Sequence, residues 1–142
     1  MKNTKEPSRL PKAMERSSKP LAKKLALKPG QRFLLLGAPS GYKDALGPLP
    51  EGVTVTTKAG DKADAVQAFA TTKKQLKDAL SRAKAALNPG GMIWLTYPKG
   101  TSKIRSDINR DSIREYTLGV GLETVALIAV DHDWSAIRCK VA

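Results

Sequence analysis

The sequence predicts one α/β domain, with a mostly parallel open sheet and a C-terminal antiparallel hairpin, behind a short basic tail. Three observations carry this prediction. From residue 31 onward short apolar runs alternate with amphipathic stretches, the pattern of crossover units on parallel strands. The run at 32–36 (RFLLL) is apolar on both sides of the chain, as in a strand covered on both faces. The C-terminal part instead offers two strand-like segments joined by the polar tip DHDW at 131–134, which reads as a hairpin.

The elements follow in order. Residues 1–20 contain Pro7, Pro11 and Pro20 among Ser, Lys and Arg, so they present no continuous apolar face and are expected to form a disordered tail. Residues 21–27 (LAKKLAL) give one or two helical turns closed by Pro29 and Gly30. The first strand, 32–36, ends at Gly37 and should be central. A second strand alternates over 53–57 after a turn at Pro50 and Gly52, and belongs nearer an edge. A third occupies 65–70, after a polar connection at 60–64.

Thr72 and Gln75 have the spacing of a capping box, in which both side chains satisfy free backbone donors at a helix start. Leu76, Ala79, Leu80, Ala83 and Leu87 then share one helical face. Residues 88–91 (NPGG) end that helix, and 92–97 form a buried strand. After a polar connection, Asn109 can cap a helix with Ile113, Tyr116, Thr117 and Val120 on one side, stopped by Gly119 and Gly121. Strands at 122–130 and 135–141 complete the hairpin, with Trp134 covering the sheet edge. The domain boundaries are therefore 1–20 for the tail and 21–142 for the α/β body.

Composition narrows the function classes. Hydrophobic residues make up 41% of 142, enough for a single core. One cysteine, Cys139, excludes an internal disulfide and reads as a small buried hydrophobe; no Cys/His cluster has metal-ligand spacing, so no metal is expected. No apolar run suits a signal sequence or a membrane span, which points to the cytoplasm and away from membranes. Lys and Arg number 25 against 13 Asp and Glu, a net charge of +12. A field of that sign attracts nucleic acid and other polyanions weakly and without sequence preference, through the tail and the connection carrying Lys99, Lys103, Arg105, Arg110 and Arg114. Spread over helix faces, the same lysines also serve plain solvation.

Strands of such a sheet bring their C-terminal ends to one rim, where open α/β folds bind ligands. The rim collects Gly37, Ser40, Gly41 and Tyr42 after the first strand, Thr57 and Lys58 after the second, Thr71 and Thr72 after the third, and Tyr97 to Lys99 after the fourth. Backbone donors of Ser40, Gly41 and Tyr42 at a following helix start suit a cofactor or anion, with Thr71, Tyr97 and Lys99 as further ligand-binding groups. The bland alternative is a tight strand-to-helix turn that holds nothing, with Tyr97 as packing. His132, between Asp131 and Asp133, sits at a hairpin tip where adjacent residues converge poorly on a metal.

A strand with a glycine exit, a long helix, the run 86–95 (ALNPGGMIWL) and a final hairpin together resemble the S-adenosylmethionine-dependent methyltransferase fold, which is Rossmann-like. The resemblance covers residues 31–142. It is strongest to a family of short bacterial proteins of methyltransferase-like fold and unassigned function, through the segments at 28–32, 47–52, 97–99 and 131–135. It implies a shortened methyltransferase core, because 53–70 is too short for one strand and its flanking helices. It also implies a damaged cofactor site. Methyltransferases of this fold carry an acid at the end of the first strand and a Gly-x-Gly-x-Gly turn; here 36–42 reads LGAPSGY, with Pro39 fixing φ and removing a donor. The acid that binds ribose after the second strand is replaced by Thr57 and Lys58, and lysine accepts no hydrogen bond.

The leading expectation is thus a methyltransferase-like domain without catalysis, a small binding or regulatory protein to which S-adenosylmethionine is not expected to bind. Two alternatives stay open: an active methyltransferase with an atypical pocket, and a basic protein associating with nucleic acid.

Overall fold

The computed structural model describes residues 20–58 and 60–141. The expected tail, apart from Pro20, lies outside these residues. The elements are α1 (Leu21–Lys24), β1 (Arg32–Leu36), α2 (Tyr42–Ala45), β2 (Thr54–Thr56), β3 (Ala63–Phe69), α3 (Lys73–Ala86), β4 (Leu87–Pro98), α4 (Arg110–Gly119), β5 (Leu122–Ala129) and β6 (Trp134–Val141).

Six strands form one mixed sheet in the order β2-β1-β3-β4-β6-β5. The first four are parallel. The two C-terminal strands are antiparallel, as the hairpin pattern predicts. The chain leaves β1 outward to β2 and returns across it to β3, so the direction of winding reverses between β1 and β3. Among the described residues no helix lies between β2 and β3, in keeping with a shortened core.

Alternation along the strands builds two apolar layers. Leu34 on β1, Val66 and Ala68 on β3, Ile93 and Leu95 on β4, and Ile137 and Cys139 on β6 meet Leu76, Ala79, Leu80 and Ala83 of α3 and Ile113 of α4. On the opposite face Phe33, Leu35, Ala65, Phe69, Met92, Trp94 and Ala136 pack with Leu25 and Leu46. The indole of Trp94 donates to the Leu25 carbonyl at 2.9 Å, fixing the α1 segment to the sheet.

Several local expectations are corrected. The second and third strands span 54–56 and 63–69. Thr72 caps α3 by accepting from the Gln75 amide, but Gln75 reaches back to the amide and hydroxyl of Thr71, one residue before the cap. Asn88 to Gly91 do not form a free turn: α3 runs directly into β4, and these residues enter the sheet beside a bulge at Ala63/Ala65. The helix after β1 is a single turn. The chain's last strand, β6, lies inside the sheet against β4 and leaves β5 at the edge, because β6 carries the buried Ala136, Ile137 and Cys139 while β5 exposes Val125 and Leu127. Trp134 therefore stands at the middle of the rim, edge-on to Phe69 with ring centroids 5.2 Å apart, and does not cover a sheet edge. The Asn109 cap is as predicted, with Ser112 completing a reciprocal box.

Candidate functional site

The rim expected from the strand order carries two clefts. The first lies at the winding reversal, about 560 Å³, lined by Leu36 and Gly37 at the end of β1, Thr57 after β2, Phe69 to Thr71 at the end of β3, one face of α3 from Gln75 to Arg82, and Trp134. Gly37 adopts φ +72°, and a Cβ there would stand 3.4 Å from the Phe69 carbonyl oxygen. The exit from β1 thus favours glycine for its left-handed conformation, while the space would admit a Cβ in ordinary contact. Gly41 is also left-handed, at φ +82°.

The loop between these glycines closes on itself. The Tyr42 amide donates to the Pro39 carbonyl at 3.1 Å. The Tyr42 side chain turns inward, 6% exposed, and donates to Gln67 Oε1 at 2.8 Å; Gln67 Nε2 in turn donates to Thr96 Oγ1 at 2.9 Å. Burial pushes the Tyr42 phenol well above its ordinary range. Its ring also meets Phe69 edge to face at 4.9 Å. Ser40, in the bend, is exposed. Thr71 is engaged on every polar group: its amide and hydroxyl contact Gln75 Oε1, and its carbonyl accepts from the Asp107 amide.

Asp107 explains how the rim is divided. Its amide donates to the Thr71 carbonyl at 3.0 Å and its carboxylate accepts from the Lys73 amide at 2.7 Å. This straps the connection between β4 and α4 to the start of α3. Beyond the strap lies the second cleft, about 450 Å³, with Tyr97, Lys99, Arg110 and Ser135 among its lining residues. No residue lines both clefts. Tyr97 is 6% exposed, and burial raises its phenol pKa while Arg110 and a hydrogen bond with Ser135 pull it back. The structure thus gathers Gly37 and Thr71 around one cleft, Tyr97 and Lys99 around the other, and leaves Ser40, Gly41 and Tyr42 in a loop lining neither.

Three polar residues that shape the rim escaped the sequence reading. Gln67 lies within an apolar strand, where a lone amide in a buried run is the signal that a polar partner awaits it. Asp107 read as one charge in a basic connection. Asp131, at the hairpin tip beside His132, accepts from the amides of Asp133 and Trp134, so its carboxylate shapes the turn. Among the described residues no group of three or more His, Cys, Asp or Glu side chains is placed to hold a metal. Cys139 is fully buried, and its thiol is pushed up to about 12 by desolvation. No helix of the described residues is long and apolar enough to cross a membrane.

Comparison with known proteins places this geometry. The chain belongs to the family described as Protein of unknown function (DUF3052), whose model matches residues 50–142. No curated protein matches it. Among solved structures it is similar to the DhpI–SAH complex, at TM-score 0.59 and 14% identity over 92% of this chain and 87% of that one. A SAM-dependent methyltransferase from Thiobacillus denitrificans in complex with S-adenosyl-L-homocysteine matches at 0.57 and 11%, over 86% and 89%. A TehB-like SAM-dependent methyltransferase from Corynebacterium glutamicum matches at 0.56 and 11%, over 92% and 94%. The fold is methyltransferase-like.

Proposed function

We propose that this chain is a methyltransferase-like domain without methyl-transfer activity, serving as a small binding or regulatory protein. One observation carries the reading: the cleft at the ends of β1, β2 and β3 has no carboxylate from any strand end. Its one carboxylate, Asp78 on α3, is engaged by Arg82 at 3.0 Å. Thr57 and Lys58 follow β2. A nucleoside's ribose hydroxyls need acceptors, and a sulfonium needs nearby negative charge or at least no cation. Thr57 offers one acceptor at the end of β2, and Lys58, the next residue, stands outside the lining and supplies no carboxylate. The strap at Asp107 adds to this, because transfer between two bound molecules requires their reacting atoms about 3–3.5 Å apart in one continuous space, and the two clefts have separate walls.

Calorimetric titration with S-adenosylmethionine and with S-adenosyl-L-homocysteine tests the reading. The expected result is no saturable heat at millimolar ligand. A micromolar dissociation constant amounts to about 8 kcal/mol, more than a cleft lacking its acceptors can supply, and would overturn the proposal.

A further inference from the structure

The second cleft is a separate site with its own chemistry, and its charge follows from how nearby carboxylates are used. Asp107 accepts from the Lys73 amide, and Asp133 accepts from Ser102 Oγ at 3.0 Å. Both are held in the fabric of the strap. Asp111 is left on the lining, 4.0 Å from Arg110 Nε, a loose contact. Lys99 lines the same space, half-buried, and its ammonium has no ion pair or hydrogen bond among the described residues. Two cations therefore face one carboxylate around a concave surface, with Lys99 half-buried and Arg110 and Asp111 exposed at its mouth.

The neutral lining sorts in the same way. Ser102 and Ser106 hydroxyls are satisfied within the strap, by Asp133 and the Ile104 amide in one case and by both backbone groups of Ile108 in the other. Tyr97 and Ser135, cross-strand partners on β4 and β6, both line the cleft. Ile108 and Leu127 supply apolar wall; Leu127 is 48% exposed on the edge strand and has this cleft as its neighbour. The volume, about 450 Å³, falls in the range of small-molecule sites, roughly 300–1,000 Å³.

We propose that this cleft binds a small phosphorylated organic molecule, with Lys99 and Arg110 on the phosphate, the Tyr97–Ser135 pair on a polar group of the body, and Ile108 and Leu127 against its apolar part. A phosphate is preferred to a carboxylate because its three terminal oxygens can accept from the Lys99 ammonium and the Arg110 guanidinium at once. A nucleic-acid backbone fits less well, because Lys103 and Arg105, the cations such a polymer would meet first along the strap, stand outside the lining. The inference does not rest on the loss of methyl transfer, which concerns the other cleft.

The test is titration of the full chain with phenyl phosphate, followed by amide chemical shifts. Saturable shifts centred on Tyr97, Lys99, Arg110 and Ser135 are expected. Lys99→Ala and Arg110→Ala should each weaken binding about fivefold, whereas Asp111→Asn, which removes the opposing charge, should tighten it. The Lys103→Ala/Arg105→Ala double variant should leave it unchanged. Shifts spread over the lysines of α3 without saturation would overturn the proposal, as would an unaltered affinity in Asp111→Asn. So would binding of a single-stranded oligonucleotide that depends on Lys103 and Arg105 while phenyl phosphate fails to bind.

Discussion

Replacing Tyr42 by Phe removes one oxygen and keeps the ring that meets Phe69 at 4.9 Å. The effect should nevertheless be large. Gln67 is completely buried, and its Oε1 takes a hydrogen bond from the Tyr42 hydroxyl at 2.8 Å. Leaving that acceptor without its donor costs about 1–3 kcal/mol, the desolvation penalty of a buried amide oxygen. For a chain of this size roughly 4 °C accompanies each kcal/mol, so the thermal midpoint should fall by about 4–12 °C. Urea denaturation followed by far-UV circular dichroism measures the free energy directly. The decisive arm is the same change in a Gln67→Met background. There the Tyr42 hydroxyl is already an orphan in the core, so removing it should be neutral or stabilising, and the sign of the effect reverses. A loss below about 0.5 kcal/mol in the parent chain, within the scatter of surface substitutions, or the same loss in both backgrounds, would refute the claim that this pair pins the loop after β1.

Two further predictions concern the base of the sheet. A Cβ on Gly91 would lie 2.6 Å from the Asp64 carbonyl oxygen and 2.6 Å from Leu87 Cδ1; since the first is backbone, Gly91→Ala should destabilise by about 1–3 kcal/mol in urea denaturation, while Gly100→Ala, with nothing within 4 Å, should not, and equal midpoints would reject the close approach. Asp64 accepts from the Arg32 amide at 2.9 Å and from Asn88 Nδ2 at 3.1 Å, and these bonds, the Arg32 amide foremost, hold its carboxyl below the usual range. A depressed folded pKa means that the native state binds fewer protons, so the contribution is complete above the ordinary carboxylate pKa and is lost as pH falls through the folded value. Stability measured from neutral pH into that acidic range should therefore decline more steeply for the parent chain than for Asp64→Asn, and parallel profiles would show that the two bonds do not favour the charged form.

What the sequence made legible is what local chemistry determines. The RFLLL run became β1 because three successive side chains, Phe33, Leu34 and Leu35, each need a covered face, and the period of Leu76, Ala79, Leu80 and Ala83 placed α3 against the sheet. The caps at Thr72 and Asn109 act within one turn and were readable for the same reason. The insertion of β6 between β4 and β5 was not readable. Both hairpin strands alternate, and only the match of Ala136, Ile137 and Cys139 to an interior slot beside Thr96, Leu95 and Ile93 decides which lies inside. The division of the rim was hidden more deeply, since it depends on Asp107 finding the start of a helix that begins at Lys73. No window of neighbouring residues contains both ends of that strap.

That difference bears on function. In a methyltransferase-like fold the strand order alone creates a rim, but it does not decide whether the rim forms one chamber or two. Here the connection after β4 is held to the start of α3 by a carboxylate that accepts from the Lys73 backbone amide. The strap runs between the cleft beside Gly37 and the one beside Tyr97, and in the second of these Asp111 is the one carboxylate on the lining with Lys99 and Arg110. A chain that kept an acid at the end of β2 and a longer, unstrapped connection after β4 would reverse both conditions at once. The chemistry of this rim therefore turns on two places in the sequence, the residues that follow β2 and the strap that carries Asp107.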